Sequence, residues 1–192
     1  MVELMGEELI IRRGEEPMFA MYKEEFLDIY QQAFTHFPYD RQYLEMDNEY
    51  AWLMSMFNNV AAICYFATTG KKLVGFMLVA PANYDHKLTA QMRDSLDLSR
   101  IISIAELAVH ESFRRQGIST QFLDKFLQDA MNLKFKAVIV RTNANAQSAQ
   151  ALYSKFGFQP WHSCRVENRI LAHGQIVHVL TDKIYLKKDL TL

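Results

Sequence analysis

The chain has 192 residues, half of them hydrophobic and 12% aromatic, with a formal net charge of −1. That size and composition fit one domain with a substantial core and exclude a disordered chain. A near-neutral balance gives no global attraction for nucleic acid. No apolar run approaches the ~20 residues of a membrane helix, and the acidic N-terminus lacks a signal-peptide core, so a cytoplasmic protein without nucleic-acid or membrane partners is expected.

Taken in chain order, Glu8 to Arg12 reads as a short opening strand. Glu24 to Phe37 carries Phe26, Leu27, Ile29, Tyr30, Ala33 and Phe34 at helical spacing, and Pro38 closes it. Asn48 to Asn58 is a second helix with Tyr50, Trp52, Leu53, Met54, Met56 and Phe57. Ala62 to Thr68 and Leu73 to Val79 are strands joined by the Thr69-Gly70-Lys71-Lys72 turn. Pro81 to Arg100 is an irregular charged stretch, long enough to act as a lid. Ile101 to His110 is the next strand, and Ser119 to Asn132 is a helix whose stripe is Phe122, Leu123, Phe126, Leu127 and Met131. Ala137 to Val140 is a buried strand, Ala146 to Lys155 a helix stopped by Gly157, and Trp161 to Leu186 two strands around Ala172-His173-Gly174. Cys64 and Cys164 are far apart and the histidines lack ligand spacing, so reduced thiols and no metal are expected.

The stretch Ile104 to Thr120, IAELAVHESFRRQGIST, carries the most chemistry. A strand passes through a glycine-containing turn straight into a helix, which presents unpaired amides and the positive end of a helix dipole. Arg114 and Arg115 add charge and forked donors beside them. An anionic ligand such as a pyrophosphate is expected on Gln116, Gly117, Ile118, Ser119 and Thr120. A Walker loop would need a second glycine followed by Lys and Ser/Thr, and a dinucleotide fingerprint would need three glycines; only Gly117 is present.

What fits is R-x-x-G-x-G/A, as Arg114-x-x-Gly117-x-Ser119, directly after Leu107-Ala108-Val109, with Ser119 a small variant at the last position. A second block, AVIVRTNANAQSAQALYSKFGF, contains A-x-x-L-Y-x-x-x-G-F as Ala149, Leu152, Tyr153, Gly157 and Phe158. Together these resemble the acetyl-CoA-binding motif and the second block of the GNAT N-acetyltransferase superfamily, over about Leu9 to Lys187. In that block an asparagine stands seven residues before the tyrosine; here the position is Ala146, with Asn145 one residue earlier and Asn143 near it.

The resemblance implies an α/β fold of the α+β kind. Its single mixed, mostly antiparallel sheet has splayed central strands and is flanked by about four helices. It implies acetyl-CoA as cosubstrate, with the pantetheine arm on the backbone of Leu107, Ala108 and Val109. The pyrophosphate would lie on Arg114 to Thr120, and Asn143, Asn145 and Tyr153 would lie near the cofactor. Glu106 is the candidate base that deprotonates an amine acceptor, with a structural ion pair as its alternative. Ser103 and His110 are weaker alternatives on the same strand. Tyr153 is the candidate acid at the departing sulfur, with core packing as its alternative. The backbone N–H of Val109 would face the developing oxyanion.

Phe34, Phe37 and Tyr39 would border the acceptor site, and Asp85, Arg93, Asp94 and Asp97 could meet a cationic acceptor. The acceptor is expected to be a small-molecule amine. A protein N-terminal or lysine acetyltransferase, a non-catalytic acyl-CoA-binding module and an unrelated nucleotide binder are the alternatives. The terminal strands could pair two copies as a homodimer.

Overall fold

Two tight hairpins and one parallel crossover organise the sheet. The computed structural model describes residues 3–4, 7–14, 16–35, 42–59, 62–88, 90–94 and 97–190. The chain runs β1 (Glu3–Leu4), β2 (Glu7–Gly14), α1 (Glu16–Met21), α2 (Lys23–Phe34), α3 (Met46–Asn59), β3 (Ile63–Thr69) and β4 (Lys72–Pro81). It continues with α4 (Ala90–Asp94), β5 (Ile101–Val109), α5 (Ile118–Asn132), β6 (Ala137–Asn143), α6 (Gln147–Lys155), β7 (Gln159–Ala172) and β8 (Gln175–Asp189). The strands lie in the order β1-β2-β3-β4-β5-β6-β8-β7. Every neighbouring pair is antiparallel except β5 with β6, whose parallel pairing needs the α5 crossover.

The two hairpins form as their turn residues direct. Thr69 pairs with Lys72, which leaves Gly70-Lys71 as a two-residue turn with Gly70 at φ 54°. Ala172 pairs with Gln175, leaving His173-Gly174 with both residues at positive φ. The expected elements recur with small shifts. A short helix, α1, precedes α2, and Pro38, with Phe37 and Tyr39, lies outside the described residues. On α5 the apolar stripe turns into the core at Ala130, not at Met131, which is 40% exposed.

The core is split by the sheet. On one face α5 and α6 pack Phe122, Phe126 and Tyr153 against Tyr65, Met77, Ile102 and Val138. On the other, α1, α2 and α3 pack Phe19, Phe26, Ile29 and Leu53 against Phe66, Phe76 and Leu78. The Pro81 to Arg100 stretch is largely structural: Leu88 and Met92 cover Ile101, Ala137, Ile139 and Tyr185, a third apolar cluster that no long helix shields. Arg93 holds this stretch in shape by donating to the carbonyls of Leu88 at 3.2 Å and Asp85 at 2.7 Å.

Two irregularities in β5 set up everything that follows. Leu78 pairs with Glu106 while Val79 pairs with Ile104, so Ala105 is an extra residue, a β-bulge. The bulge reverses the alternation. Ile102 and Ile104 pack on the α5 face, yet Ala108, which simple alternation would send there too, packs on the α2 face. Glu106 keeps phase with Ala108 and so joins the α2 and α3 side, opposite Leu107. In addition, the β5–β6 pairing stops at Ile104–Val140. Beyond it β5 stays on β4 and β6 stays on β8, which opens a V between Ala105–Val109 and Arg141–Asn143.

Candidate active site

One limb of the site is built by the turn after β5. Arg114 folds back to donate from Nε to the Val109 carbonyl at 3.1 Å, and the Gln116 amide donates to the Ser112 carbonyl at 3.1 Å. These bonds fix the turn and leave Arg115 at φ 60° and Gly117 at φ 82°. A left-handed Gly117 costs little strain, whereas Arg115 holds the same region against its own Cβ. Gly117 is also the N-cap of α5, and no side chain caps that helix. The first-turn amides and the dipole therefore face outward beside two exposed arginines. Leu107, Ala108, Val109, Arg114, Arg115, Gly117, Ile118, Ser119 and Thr120 all line one cavity of about 460 Å³, closed on the far side by Ser148, Ala149 and Leu152 of α6. Gln116 belongs to the same turn but is engaged with Ser112.

A second cavity, of about 490 Å³, occupies the mouth of the V. Glu106, Tyr30 and Glu49 line it from the α2 and α3 side, and Tyr153 from the α6 side. Leu107 and Phe34 line both cavities, so the two meet where β5 and β6 part. Residues 42–45 close the outer wall: Tyr43 N–H donates to the Arg169 carbonyl at 2.8 Å, and Arg169 pairs with Glu45 at 3.1 Å. The long β7–β8 hairpin thereby leans over the mouth of the V.

Electrostatics in this mouth are strongly perturbed. Burial pushes the Glu106 carboxyl up to about 8, reinforced by Glu49 and Asp85 and opposed by Arg141 and Lys183. Burial likewise pulls Lys183 down to about 8, with Arg141 adding to the fall and Glu106 opposing it. The Tyr30 hydroxyl, raised far above its usual range by burial and then by Glu106 and Glu49, donates to Glu49 at 3.1 Å. Among the described residues no cluster of three or more potential ligands could hold a metal ion.

The structure brings Glu106 and Tyr153 into one cavity and the Arg114–Thr120 turn into the next. Neither Asn143 nor Asn145 lines these two cavities. Asn143 is buried, and its side-chain oxygen accepts from the Lys183 ammonium, while its carbonyl accepts from Gln150 at 3.2 Å. Asn145 is exposed at the start of α6, where its carbonyl accepts from Gln147 N–H at 2.9 Å. Ser103 lines a third cavity that Glu106 and Arg141 also line, and His110 accepts from Ser112 N–H at 3.2 Å as a local cap. Asp85 is committed: Tyr185 donates to it at 2.9 Å and Arg141 lies 3.5 Å away. Tyr30, Glu49, Arg141 and Lys183 were not foreseen as site residues. Only Arg141 carried a signal, as the charge that ends an apolar strand.

Comparison with known proteins agrees with this architecture. The family model described as Acetyltransferase (GNAT) family matches residues 21–158. No curated protein sequence matches significantly. Among solved structures, the ribosomal-protein-alanine N-acetyltransferase from Brucella melitensis superposes with a TM-score of 0.67 at 18% identity, covering 94% of this chain and 99% of its own. The yncA protein from Salmonella typhimurium, solved with its cofactor acetyl-CoA, gives 0.66 at 13% identity, covering 96% and 95%. An acetyltransferase from Bacillus subtilis in complex with CoA gives 0.61 at 20% identity, covering 96% and 100%. Motif, splayed sheet and family model converge, and the chain belongs to the GNAT family of acetyltransferases.

Proposed function

We propose that the protein is an acetyl-CoA-dependent N-acetyltransferase that passes the acetyl group directly to a primary amine of a small molecule, with both substrates bound together. The observation that carries this reading is the meeting of the two cavities at Leu107 and Phe34, in the opening between β5 and β6. One cavity has the donors for a pyrophosphate and the other has a carboxylate for an amine, so the two reactants approach from opposite sides of the V.

In this reading the amides of Gly117 to Thr120, with Arg114 and Arg115 beside them, hold the pyrophosphate. The strand edge of Leu107, Ala108 and Val109, left without a β6 partner beyond Ile104, pairs with the amide groups of the pantetheine arm. Bound acetyl-CoA supplies a thioester, at whose carbonyl the C–N bond forms as the C–S bond breaks. Glu106 takes the proton that the amine loses, directly or through one water. A carboxyl with a pKa of about 8 suits that role, because it is basic enough to accept the proton near neutral pH. Tyr153 gives a proton to the departing sulfur, and the N–H of Val109 faces the carbonyl oxygen as its negative charge grows. Neither free cysteine lines the two cavities, so among the described residues no thiol is placed there to form an acyl-enzyme.

Calorimetric titration with acetyl-CoA tests the donor half. Gly117 has open space around an added Cβ, so Gly117→Asn and Gly117→Asp share the same backbone strain and differ in charge. Micromolar binding by wild type, with Gly117→Asp weakened at least tenfold more than Gly117→Asn, supports the site. Absence of binding by wild type, or equal loss in both variants, refutes it. Thiol release on adding primary amines then tests the transfer.

A further inference from the structure

A side cavity opens off the V on the sheet face covered by α2 and α3. Along β4, Phe76 and Leu78 fill that face, and the next residue in phase, Ala80, does not. Its partner across the ladder is Ser103, so two small side chains stand together where large ones pack further along the strand. From α3, Trp52 and Met56, one helical turn apart, line the same cavity of about 280 Å³. Pro81 and Tyr84 extend its apolar wall. The bulge at Ala105 brings Glu106 onto the face that Ser103 occupies, and Glu106, Ala105 and Trp52 line both this cavity and the mouth of the V. The two spaces therefore meet beside the Glu106 carboxyl.

The charged groups of this wall ask for no charge from a ligand. Arg141 faces Asp85 at 3.5 Å, and Asp85 also accepts from the Tyr185 hydroxyl and the Lys87 N–H, each at 2.9 Å. His86 and Lys87 are exposed to solvent. At pH 7 Glu106 is itself mostly the neutral acid, since burial holds its carboxyl up at about 8. Trp52 and Tyr84, 43% and 40% exposed, keep apolar surface that no neighbour in the core covers. With the Met56 thioether beside them, these are the surfaces that favour an aromatic ring. An apolar cavity of about 150 Å³ holds a benzene ring, so this one takes a ring and a short tether.

Resting on the N-acetyltransferase reading above, we infer that the acceptor is an arylalkylamine, a primary amine joined to an aromatic ring by a short carbon chain, and that the side cavity receives the ring. The nitrogen lies at Glu106 in the mouth of the V, and the chain passes Ala105. A second ammonium or a hydroxyl in place of the ring would lose its water against Trp52, Met56 and Ala80. A ring instead takes its own apolar surface and theirs out of water. Ala80 and Ser103, by being small, make room for the ring, and Tyr84 walls it from solvent. These residues then set acceptor specificity.

The test is steady-state acetylation of phenethylamine, ethylamine and ethanolamine at saturating acetyl-CoA, with kcat/KM taken on the free-amine fraction. The three share a carbon chain and differ in what it carries toward the side cavity. Wild type is expected to favour phenethylamine over either of the others by about tenfold or more. Ala80→Leu fills the space for the ring and brings the phenethylamine-to-ethylamine ratio to about one. Ethylamine or ethanolamine used as well as phenethylamine by wild type overturns the inference, as does a ratio unchanged in a folded Ala80→Leu. Should that variant fail to fold, the exposed Tyr84 replaces it: Tyr84→Ala lowers the ratio severalfold and Tyr84→Phe keeps it, while equal ratios in the two overturn the inference. Turnover of all three amines alike refutes only the aromatic subsite, whereas acetyl-CoA binding with no primary amine turned over refutes both readings.

Discussion

Glu106→Gln has an effect on stability that needs no knowledge of the acceptor. In the unfolded chain the carboxyl ionises near 4.5, and in the fold burial raises it to about 8. Between those values the native state keeps a proton that the unfolded chain has released, so stability falls as pH rises through the window. Below 4.5 the group is neutral in both states and this loss is absent. The full span corresponds to ~5 kcal/mol, an upper bound because water entry and local relaxation reduce it. Even a third of that moves the Tm of a chain this long by about 3–6 °C.

Glutamine copies the neutral acid in size and cannot ionise. Thermal melts of the two proteins from pH 5 to pH 9 should show Tm curves whose separation grows with pH in favour of Glu106→Gln up to about pH 8 and then levels off. The same ionisation should appear in the rate: about one tenth of free wild-type enzyme holds the carboxylate at pH 7, so kcat/KM climbs about tenfold to a plateau above pH 9, once amine ionisation is corrected. Parallel Tm curves would refute the desolvation of Glu106 and, with it, the poised base.

The other perturbations probe the remaining parts of the site. Tyr153→Phe keeps the ring that packs 5.4 Å from Phe158 and removes only the hydroxyl, so kcat should fall by about tenfold or more while acetyl-CoA affinity measured by calorimetry is unchanged; unchanged turnover would return Tyr153 to a packing role. Gly75→Val should destabilise by about 1–3 kcal/mol in denaturant melts, because its first added carbon meets the Ala108 carbonyl at 3.0 Å and the Phe122 ring at 3.3 Å; a neutral result would mean that β5 yields freely. Arg93→Ala removes the donors that hold the Leu88 and Asp85 carbonyls, so limited proteolysis should cut within residues 83–94 faster than in wild type. Arg93→Lys should restore little, since an ammonium cannot reproduce the guanidinium fork.

What the sequence determined by itself is local. The β5–turn–α5 unit was legible because Gly117 must adopt positive φ and Arg114–Arg115 have no apolar role. The hairpins at Gly70 and Gly174 were legible because glycine is the residue that tight turns demand. Paired with the Tyr153 block, those signals carried the resemblance that implied the splayed sheet. The tertiary structure alone decided which groups meet. The bulge at Ala105 exists only in the register of β5 against β4, and it turns Glu106 from the α5 face to the face covered by α2 and α3. Lys183 sits 40 residues from Asn143, and Tyr185 is 100 residues from Asp85, so no spacing within a strand could announce either contact. Asn143, which the resemblance sets near the cofactor, comes beside Lys183 only through the pairing of β6 with β8. Periodicity reports which side of its own element a residue occupies; the charge it faces is fixed only when separate strands come into register.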